Sequence, residues 1–320
     1  MSLKGKTIIV TGGGSGIGAV SALHFAAEGA NVVVSGRRLE ALQKVAAGHP
    51  NIVAVQGDAA VEADLERLKS AALKAFGRID SVFLNAGVEG SGRPLADTSA
   101  EELAAVFRTN NVGPILGIKH FAEQVGQHGG AIVVTSSLVS AATPYSFPVD
   151  DLGAYVASKA GVDATVRAFH VPLLQRGVRL FSVNPGLYDT DMAAKVTSIK
   201  SLAAVGIKSN ADFAFAFAPL GNIGHGIDVA RTVAALVAGT SKYPTGHSIA
   251  VLPSLVAGEP LTSDLDSFYP SLAAQVPMTH SFSTANWKTF DGSDYSPAKL
   301  AELRAAIQKH AEIVAAASKK

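Results

Sequence analysis

The run Thr7-Ile8-Ile9-Val10-Thr11-Gly12-Gly13-Gly14-Ser15-Gly16-Ile17-Gly18 constrains this chain more than any other stretch. A short β-branched segment enters a glycine-rich turn, and the Ala-rich stretch from Ala19 to Ala27 continues as a helix. Strand, glycine turn and helix in that order suit the pyrophosphate of a dinucleotide. Glycines let backbone approach phosphate without a Cβ in the way and accept positive φ. The helix start then offers unpaired N–H groups and the positive end of its dipole. Gly12, Gly16 and Gly18 give G-x-x-x-G-x-G, not the better-known G-x-G-x-x-G. A turn that only joins strand to helix also uses glycine. The place of this one, at the first strand–helix junction, favours the nucleotide reading.

Apolar runs alternate with helical periodicity as far as residue 252. Strands are expected at Thr7–Val10, Asn31–Ser35, Ile52–Gln56, Ser81–Leu84, Ala131–Thr135, Arg179–Val183 and Ser248–Leu252. Helices are expected at 16–28, 39–47, 62–76, 100–126, 153–176 and 227–238. Near-continuous hydrophobicity suits strands buried on both faces. Repeated βα units of this kind predict an α/β fold: a doubly wound, Rossmann-type parallel sheet of about seven strands with helices on both faces. Ligands are then expected at the carboxyl ends of the strands.

Residues 187–226 break the alternation and carry Met192, Phe213, Phe215, Phe217, Gly221 and Gly224. A long segment after a sheet strand suits a substrate-binding loop. Residues 1–257 form the expected dinucleotide-binding domain. Residues 258–320 form a C-terminal extension, first rich in Pro, Ser, Thr and Asp, then amphipathic over 297–317 with Ser296-Pro297 at its start.

Composition narrows the chemistry. The 320 residues carry a net charge of +1, which gives no electrostatic case for nucleic acid or an anionic membrane. With no cysteine, disulfides, thiol nucleophiles and thiolate metal sites are excluded. The nine histidines fall into no metal-ligand spacing, and no metal is expected. No apolar run approaches the ~18 residues of a membrane span. The amino-terminal Met1 to Lys6 leads straight into the first strand, so a cytoplasmic protein is expected.

Tyr155-Val156-Ala157-Ser158-Lys159 lies in a helical stretch, and its i, i+4 spacing puts Tyr155 and Lys159 on one face. An ordinary Tyr titrates near ~10, and bringing it to neutrality takes roughly 4 kcal/mol. One ammonium at about 4 Å supplies roughly that at an effective dielectric of 20. Lys159, helped by an oxidised nicotinamide ring, can thus make Tyr155 an acid/base at neutral pH. A second pair of this spacing, Tyr295 and Lys299, is broken by Pro297 and shares no helix face. Around Tyr155, polar residues end four strands on one side of the sheet: Ser136-Ser137, Asn85-Ala86-Gly87, Asn184-Pro185-Gly186 with Thr190, and Thr11 with its glycines. Asn110-Asn111 adds amides from the long helix.

These residues resemble the short-chain dehydrogenases/reductases in their compact single-domain form, over about residues 5–252. By that resemblance, the loop residues Gly12, Gly14, Ser15, Gly16, Ile17 and Gly18 hold cofactor, with Asn85, Ala86 and Gly87 ending the fourth strand beside it. Asp58 corresponds to the adenine contact, and Pro185, Gly186 and Thr190 to the carboxamide contacts. Asn110 corresponds to the amide of a water relay, with Asn111 in the adjacent register. Ser137 corresponds to the catalytic Ser, with Ser136 adjacent, Tyr155 to the acid/base and Lys159 to the residue on the nicotinamide ribose. The resemblance implies hydride transfer between nicotinamide and a small-molecule carbonyl or alcohol, and a homodimer or homotetramer formed through the helices at 100–126 and 153–176. An epimerase or dehydratase on the same scaffold, or a non-catalytic NADP(H) sensor, are the alternatives.

Two features depart from the family. Ser137 and Tyr155 are 18 positions apart, longer than usual there, through Pro144-Tyr145-Ser146-Phe147-Pro148. Some 65 residues follow the last strand. As for the cofactor, the second strand ends Val34-Ser35-Gly36-Arg37-Arg38 with no acid to accept from a ribose 2′-OH. Arg37 and Arg38 suit a 2′-phosphate, so NADP(H) is expected, with NAD(H) as the alternative. Tyr188 and the Phe-rich loop hint at an apolar substrate.

Overall fold

The computed structural model describes residues 3–140, 150–196, 224–252 and 261–264. Strands β1 (Thr7–Thr11), β2 (Asn31–Gly36), β3 (Ile52–Gln56), β4 (Ser81–Leu84), β5 (Ala131–Thr135), β6 (Arg179–Pro185), β7 (Ser248–Leu252) and β8 (Leu261–Asp264) form one sheet. Their order is β3-β2-β1-β4-β5-β6-β7-β8. Pairing is parallel from β3 through β7, and β8 is antiparallel to β7. The sheet is therefore the expected parallel one with an eighth strand added from beyond residue 257. The chain reverses direction across the sheet between β1 and β4, the switch point where an open α/β sheet leaves a crevice at its carboxyl edge.

Helices α1 (Gly16–Ala27), α2 (Leu39–Ala46), α3 (Glu62–Phe76), α4 (Ala100–Phe107), α5 (Gly113–Gly126), α6 (Gly153–Leu174), α7 (Asp191–Val196) and α8 (Gly226–Ala238) connect the strands. One face of the sheet packs Ile8, Val10, Val32, Val34, Phe83 and Phe181 against α1, α2 and α8. The other packs Ile9, Val33, Val82, Ile132 and Leu180 against α3, α5 and α6. Alternate residues of one strand thus serve opposite cores, which is why the strands read as continuous apolar runs. Each such side chain contributes roughly 1.5–3 kcal/mol by leaving water. Among the described residues no helix is long and apolar enough to cross a membrane.

The single helix expected over 100–126 contains a π turn at Arg108–Val112. Pro114 explains it. Proline has no N–H to give to the carbonyl four residues back, that of Asn110, and its ring crowds that carbonyl. The backbone widens there instead. Ser99 opens α4 with a reciprocal capping box to Glu102. The helix expected over 297–317, residues 197–223 of the expected substrate loop with Phe213, Phe215 and Phe217, the segment Pro144–Pro148 and the pair Tyr295 and Lys299 lie outside the described residues.

Candidate active site

The crevice begins at the turn after β1. Gly12 has φ +67° and Gly16 φ +51°, so both need glycine. Close packing adds a second requirement. A Cβ on Gly12 would stand 2.9 Å from Ala86 Cα, and one on Gly18 would stand 2.3 Å from Gly12 O. The turn is pressed onto the end of β4, where Thr11 Oγ1 accepts from the backbone N–H of Asn85 (3.1 Å) and Ala86 (3.2 Å). Asn85 continues the strap: its Nδ2 donates to Thr11 O at 3.3 Å and its Oδ1 accepts from Thr135 Oγ1 at 3.1 Å. The ends of β1, β4 and β5 are thus held together across the switch point.

Ser15 stands at the N-cap of α1 in extended conformation, yet its hydroxyl does not cap the helix. It accepts instead from an Arg38 guanidinium nitrogen at 3.1 Å. The first-turn N–H groups of α1 therefore have no capping side chain, and Ser15 and Gly16 are exposed beside them. An uncapped helix start behind an exposed glycine turn fits the phosphates of a dinucleotide. Thr190, which caps α7 by accepting from Ala193 N at 3.2 Å, leans over the same turn: a Cβ on Gly16 would lie 3.4 Å from its methyl. Gly186 is fixed at the end of β6 by donating to Val251 O at 3.1 Å. Gly14 and Ile17 bear on packing: Gly14 faces Ala41, and Ile17 joins the α1–α8 core.

At the end of β2, Gly36 is followed by exposed Arg37 and Arg38. Gln56 donates to the Arg37 carbonyl at 2.9 Å and fixes the backbone there. Asp58 turns its own loop, accepting from Ala60 N at 2.9 Å, while its N–H donates to Asp64 at 2.7 Å.

Across the crevice, Ser137 follows β5, and its hydroxyl acts on the Tyr155 hydroxyl, favouring the ionised form. Ser136 turns the other way and donates to Lys159 O at 2.9 Å. Of the two serine registers, the geometry brings 137 to the tyrosine. Lys159 is buried, donates to Thr135 O at 2.7 Å and sits 5.7 Å from the centre of the Tyr155 ring. Asn110 is fully buried at the widened turn. Its Oδ1 accepts from Val88 N (2.8 Å), and its Nδ2 donates to Val88 O (2.8 Å) and Ser158 Oγ (2.9 Å). Asn111 turns instead onto α6, donating to Ser158 O at 2.8 Å and packing against Gly161. Gly87 leaves the space between: a Cβ there would lie 3.3 Å from Lys159 Nζ and 3.4 Å from Asn110 Oδ1.

The electrostatics differ from the simple expectation. Burial pushes the Tyr155 hydroxyl up to about 12, against a lowering by the Ser137 hydrogen bond and with a further rise from the Glu89 carboxylate. Burial brings Lys159 down to about 8, opposed by the Asp163 carboxylate. Desolvation thus outweighs the attraction between ammonium and tyrosinate, because Lys159 Nζ bonds a carbonyl rather than the phenolic oxygen. In the protein alone the Tyr155 hydroxyl therefore stays protonated at neutral pH.

A model of the short chain dehydrogenase family matches residues 6–200. The chain belongs to this family. As a short-chain dehydrogenase it is 33% identical to oxidoreductase asL5 of Sarocladium schorii over 78% of its length and 95% of that protein. It is 32% identical to the NADP-dependent (R)-specific alcohol dehydrogenase of Lentilactobacillus kefiri, over 78% and 96% of the two chains. The 3-ketoacyl-(acyl-carrier-protein) reductase of Brucella melitensis, solved with NADH, superposes with a TM-score of 0.68 at 26% identity, over 78% of this chain and 98% of that one. The chain is thus an oxidoreductase of a family that binds nicotinamide cofactors. Among the described residues of this short-chain dehydrogenase, no group of His, Asp or Glu could hold a metal.

Tyr188 needs a correction. It is buried, its hydroxyl donates to Val251 O at 3.1 Å, and Gly224 packs on its ring, so it belongs to the core and not to a substrate surface. Two charged residues escaped the sequence reading, Glu89 and Asp163. Each carried a signal: Glu89 follows Asn85-Ala86-Gly87 by two positions, and Asp163 lies four past Lys159 on the same helix face.

Proposed function

We propose that this short-chain dehydrogenase is an NADP(H)-dependent carbonyl reductase or alcohol dehydrogenase with Tyr155 as its acid/base. The observation that carries the reading is the meeting of Ser137, Tyr155 and buried Lys159 across the crevice from the uncapped start of α1. When bound, the nicotinamide gives or takes the hydride. The protein's residues do the rest. Ser137 donates to the substrate oxygen and holds it against Tyr155. The Tyr155 hydroxyl, kept protonated by burial, is ready to give its proton to that oxygen in reduction and, once ionised, to take one back in oxidation. Lys159 keeps a positive charge beside the phenol, and Asn110 holds the backbone of Val88, next to Gly87 at the Lys159 ammonium. Gly12, Gly14, Ser15, Gly16, Ile17 and Gly18 would receive the pyrophosphate, Asp58 the adenine, and Pro185, Gly186 and Thr190 the carboxamide.

The preference for NADP(H) rests on the end of β2, where no carboxylate stands and two guanidiniums do. Arg38 already holds Ser15, which leaves exposed Arg37 as the partner of a 2′-phosphate. The Lentilactobacillus kefiri relative is named as NADP-dependent, in keeping with this reading. Arg37→Asp should reverse the preference, and unchanged NADPH affinity in that variant would count against the assignment. Self-association fits the helices α4 to α6: Phe107, Val112, Ile115, Phe169, Val171 and Leu174 are exposed apolar side chains there. A dimer or tetramer is expected, and a 32.8 kDa species by gel filtration would overturn that.

The test of the activity is NADPH consumption across aldehydes, ketones, quinones and ketoacyl thioesters, with Tyr155→Phe in parallel. Turnover in the wild type and a fall of about 10²–10⁴-fold in the variant are expected. Tight NADPH binding with turnover equal in both proteins would remove Tyr155 from the reaction.

A further inference from the structure

Behind the Ser137–Tyr155–Lys159 set lies a second polar layer that the reaction as drawn does not use. At its centre is Asp163, 3% exposed, one helical turn after Lys159 on α6. Ser140 Oγ donates to its Oδ2 at 2.5 Å. Ser182 Oγ of β6 and Ser248 Oγ of β7, 2.8 Å apart, lie 2.7 and 3.1 Å from its Oδ1. Asn184 Nδ2, at the end of β6, approaches both carboxylate oxygens at 3.2 and 3.0 Å, and also Ser140 Oγ (3.1 Å) and Ser137 O (3.2 Å). Among the described residues no Lys or Arg reaches Asp163 at ion-pair distance.

Such an arrangement has a cost. A buried carboxylate held only by neutral donors is more expensive than an apolar side chain of the same size. Three elements, α6, β6 and β7, together with the turn after β5, contribute to it. They are the same elements that carry Lys159, Asn184 and Ser137. The carboxylate also acts on Lys159, opposing the effect of burial on the ammonium.

We propose that Asp163 is a positioning residue for the reaction: its buried carboxylate supplies the counter-charge of Lys159 and, through Asn184 and Ser140, braces the turn that presents Ser137. This rests on the assignment of Tyr155 as acid/base. Among the described residues, the charged groups acting on the pair are few. Tyr155, Lys159 and Asp163 all come from α6, and Glu89 from the loop after β4. The hydroxyls of Ser137, Ser140, Ser182 and Ser248 carry no charge.

The experiment has one readout that needs no turnover. Lys159 holds fewer protons folded than unfolded between about pH 8 and its ordinary value. Wild-type stability should therefore rise with pH across that window relative to Lys159→Met. In the Asp163→Asn background the rise, again measured against Lys159→Met, should begin roughly one pH unit lower, because the ammonium has lost its counter-charge. Urea unfolding at stepped pH measures this whether or not a substrate is known. With a substrate, the pH midpoint of alcohol oxidation should move up in Asp163→Asn, since an uncharged Lys159 no longer favours the tyrosinate. Asp163→Glu should restore both. Folded Asp163→Asn with wild-type midpoints would overturn the proposal. Should Asp163→Asn not fold, Asp163→Ser, which can share its place with a water, takes its part. Loss of folding in both would assign Asp163 to stability alone and equally overturn it. Wild-type protein that binds NADPH but turns over nothing, with the stability midpoint still moving, would instead separate failure of the acid/base assignment from failure of the Lys159–Asp163 coupling.

Discussion

The two sides of the crevice are built from different material. On the β1–α1 side the site is backbone: glycines, a helix start, and carbonyls strapped by Thr11 and Asn85. On the β5–α6 side it is buried polar side chains, among them Ser136, Asn110, Ser158, Lys159, Asp163 and Asn184. A backbone site fails by steric intrusion and is nearly indifferent to charge, whereas a side-chain site fails when a charge or donor is lost and has some room for a methyl group. On the proposed function, the same sheet edge would serve as a rigid cradle for a fixed anionic ligand and a tunable surface for proton transfer.

Substitution at the cradle should have the largest effect. Gly18→Ala places a methyl 2.3 Å from Gly12 O, which is backbone, and 2.6 Å from Asn85 Nδ2, which is pinned by its bonds to Thr11 O and Gly12 O. Neither can yield cheaply, so about 1–3 kcal/mol of stability should go. NADPH affinity should fall by at least about tenfold, since the turn must shift, and each tenfold is about 1.4 kcal/mol. Urea unfolding and a fluorescence titration check the two separately. Wild-type values in both would mean that the turn is soft and the contrast between the two sides is wrong.

On the other side, Asn110→Ala should cost about 1–3 kcal/mol, because it leaves the Val88 N–H and C=O without their amide partner, whereas the Ser158 hydroxyl keeps its bond to Tyr155 O. Turnover should fall more than NADPH affinity does. An equal loss in both would place Asn110 with the cradle, not with the proton-transfer side.

Legibility in the sequence follows the same division. The shape of the backbone side was legible: the glycine turn stands between β1 and α1 where the sequence places it, because positive φ at Gly12 and Gly16 and the close approach at Gly18 need glycine. The strand boundaries also fell close to expectation, because polar residues such as Asn31, Gln56, Ser81 and Arg179 bracket the apolar runs. What escaped was produced by tertiary approach. Lys159 reaches Thr135 O rather than the phenol, so the sign of the Tyr155 shift depends on burial that no spacing reveals. Asp163 gathers hydroxyls from positions 140, 182 and 248, which are adjacent only once the sheet has formed. Tyr188 looked available for substrate because its burial comes from Gly224, 36 positions later.

A smaller effect separates two serines at helix starts. Ser99 caps α4 in earnest, and Ser99→Ala should cost about 1 kcal/mol. Ser15 does not cap α1, and Ser15→Ala should cost less than about 0.5 kcal/mol, releasing the Arg38 guanidinium from its hydroxyl partner. Thermal unfolding ranks the two. A larger loss at Ser15 would show that its hydroxyl turns to the helix in solution and that the start of α1 is not left open for phosphate.

The smallest expected effect probes the tunable side directly. Glu89 contributes the weakest of the influences on Tyr155, raising it through an unfavourable negative charge near the phenol. Glu89→Gln keeps the shape and removes that charge, so the tyrosinate becomes easier to form. The pH midpoint of alcohol oxidation should move down by about a few tenths of a unit, each unit being worth 1.36 kcal/mol. The direction is opposite to that expected for Asp163→Asn, although both substitutions remove one carboxylate. The difference lies in what each charge faces: Glu89 acts on the phenol itself, whereas Asp163 acts on the ammonium that supports it. Midpoints that moved the same way in both variants would reduce the two carboxylates to a general field, and the β5–α6 side would then be no more specific in its electrostatics than the cradle opposite.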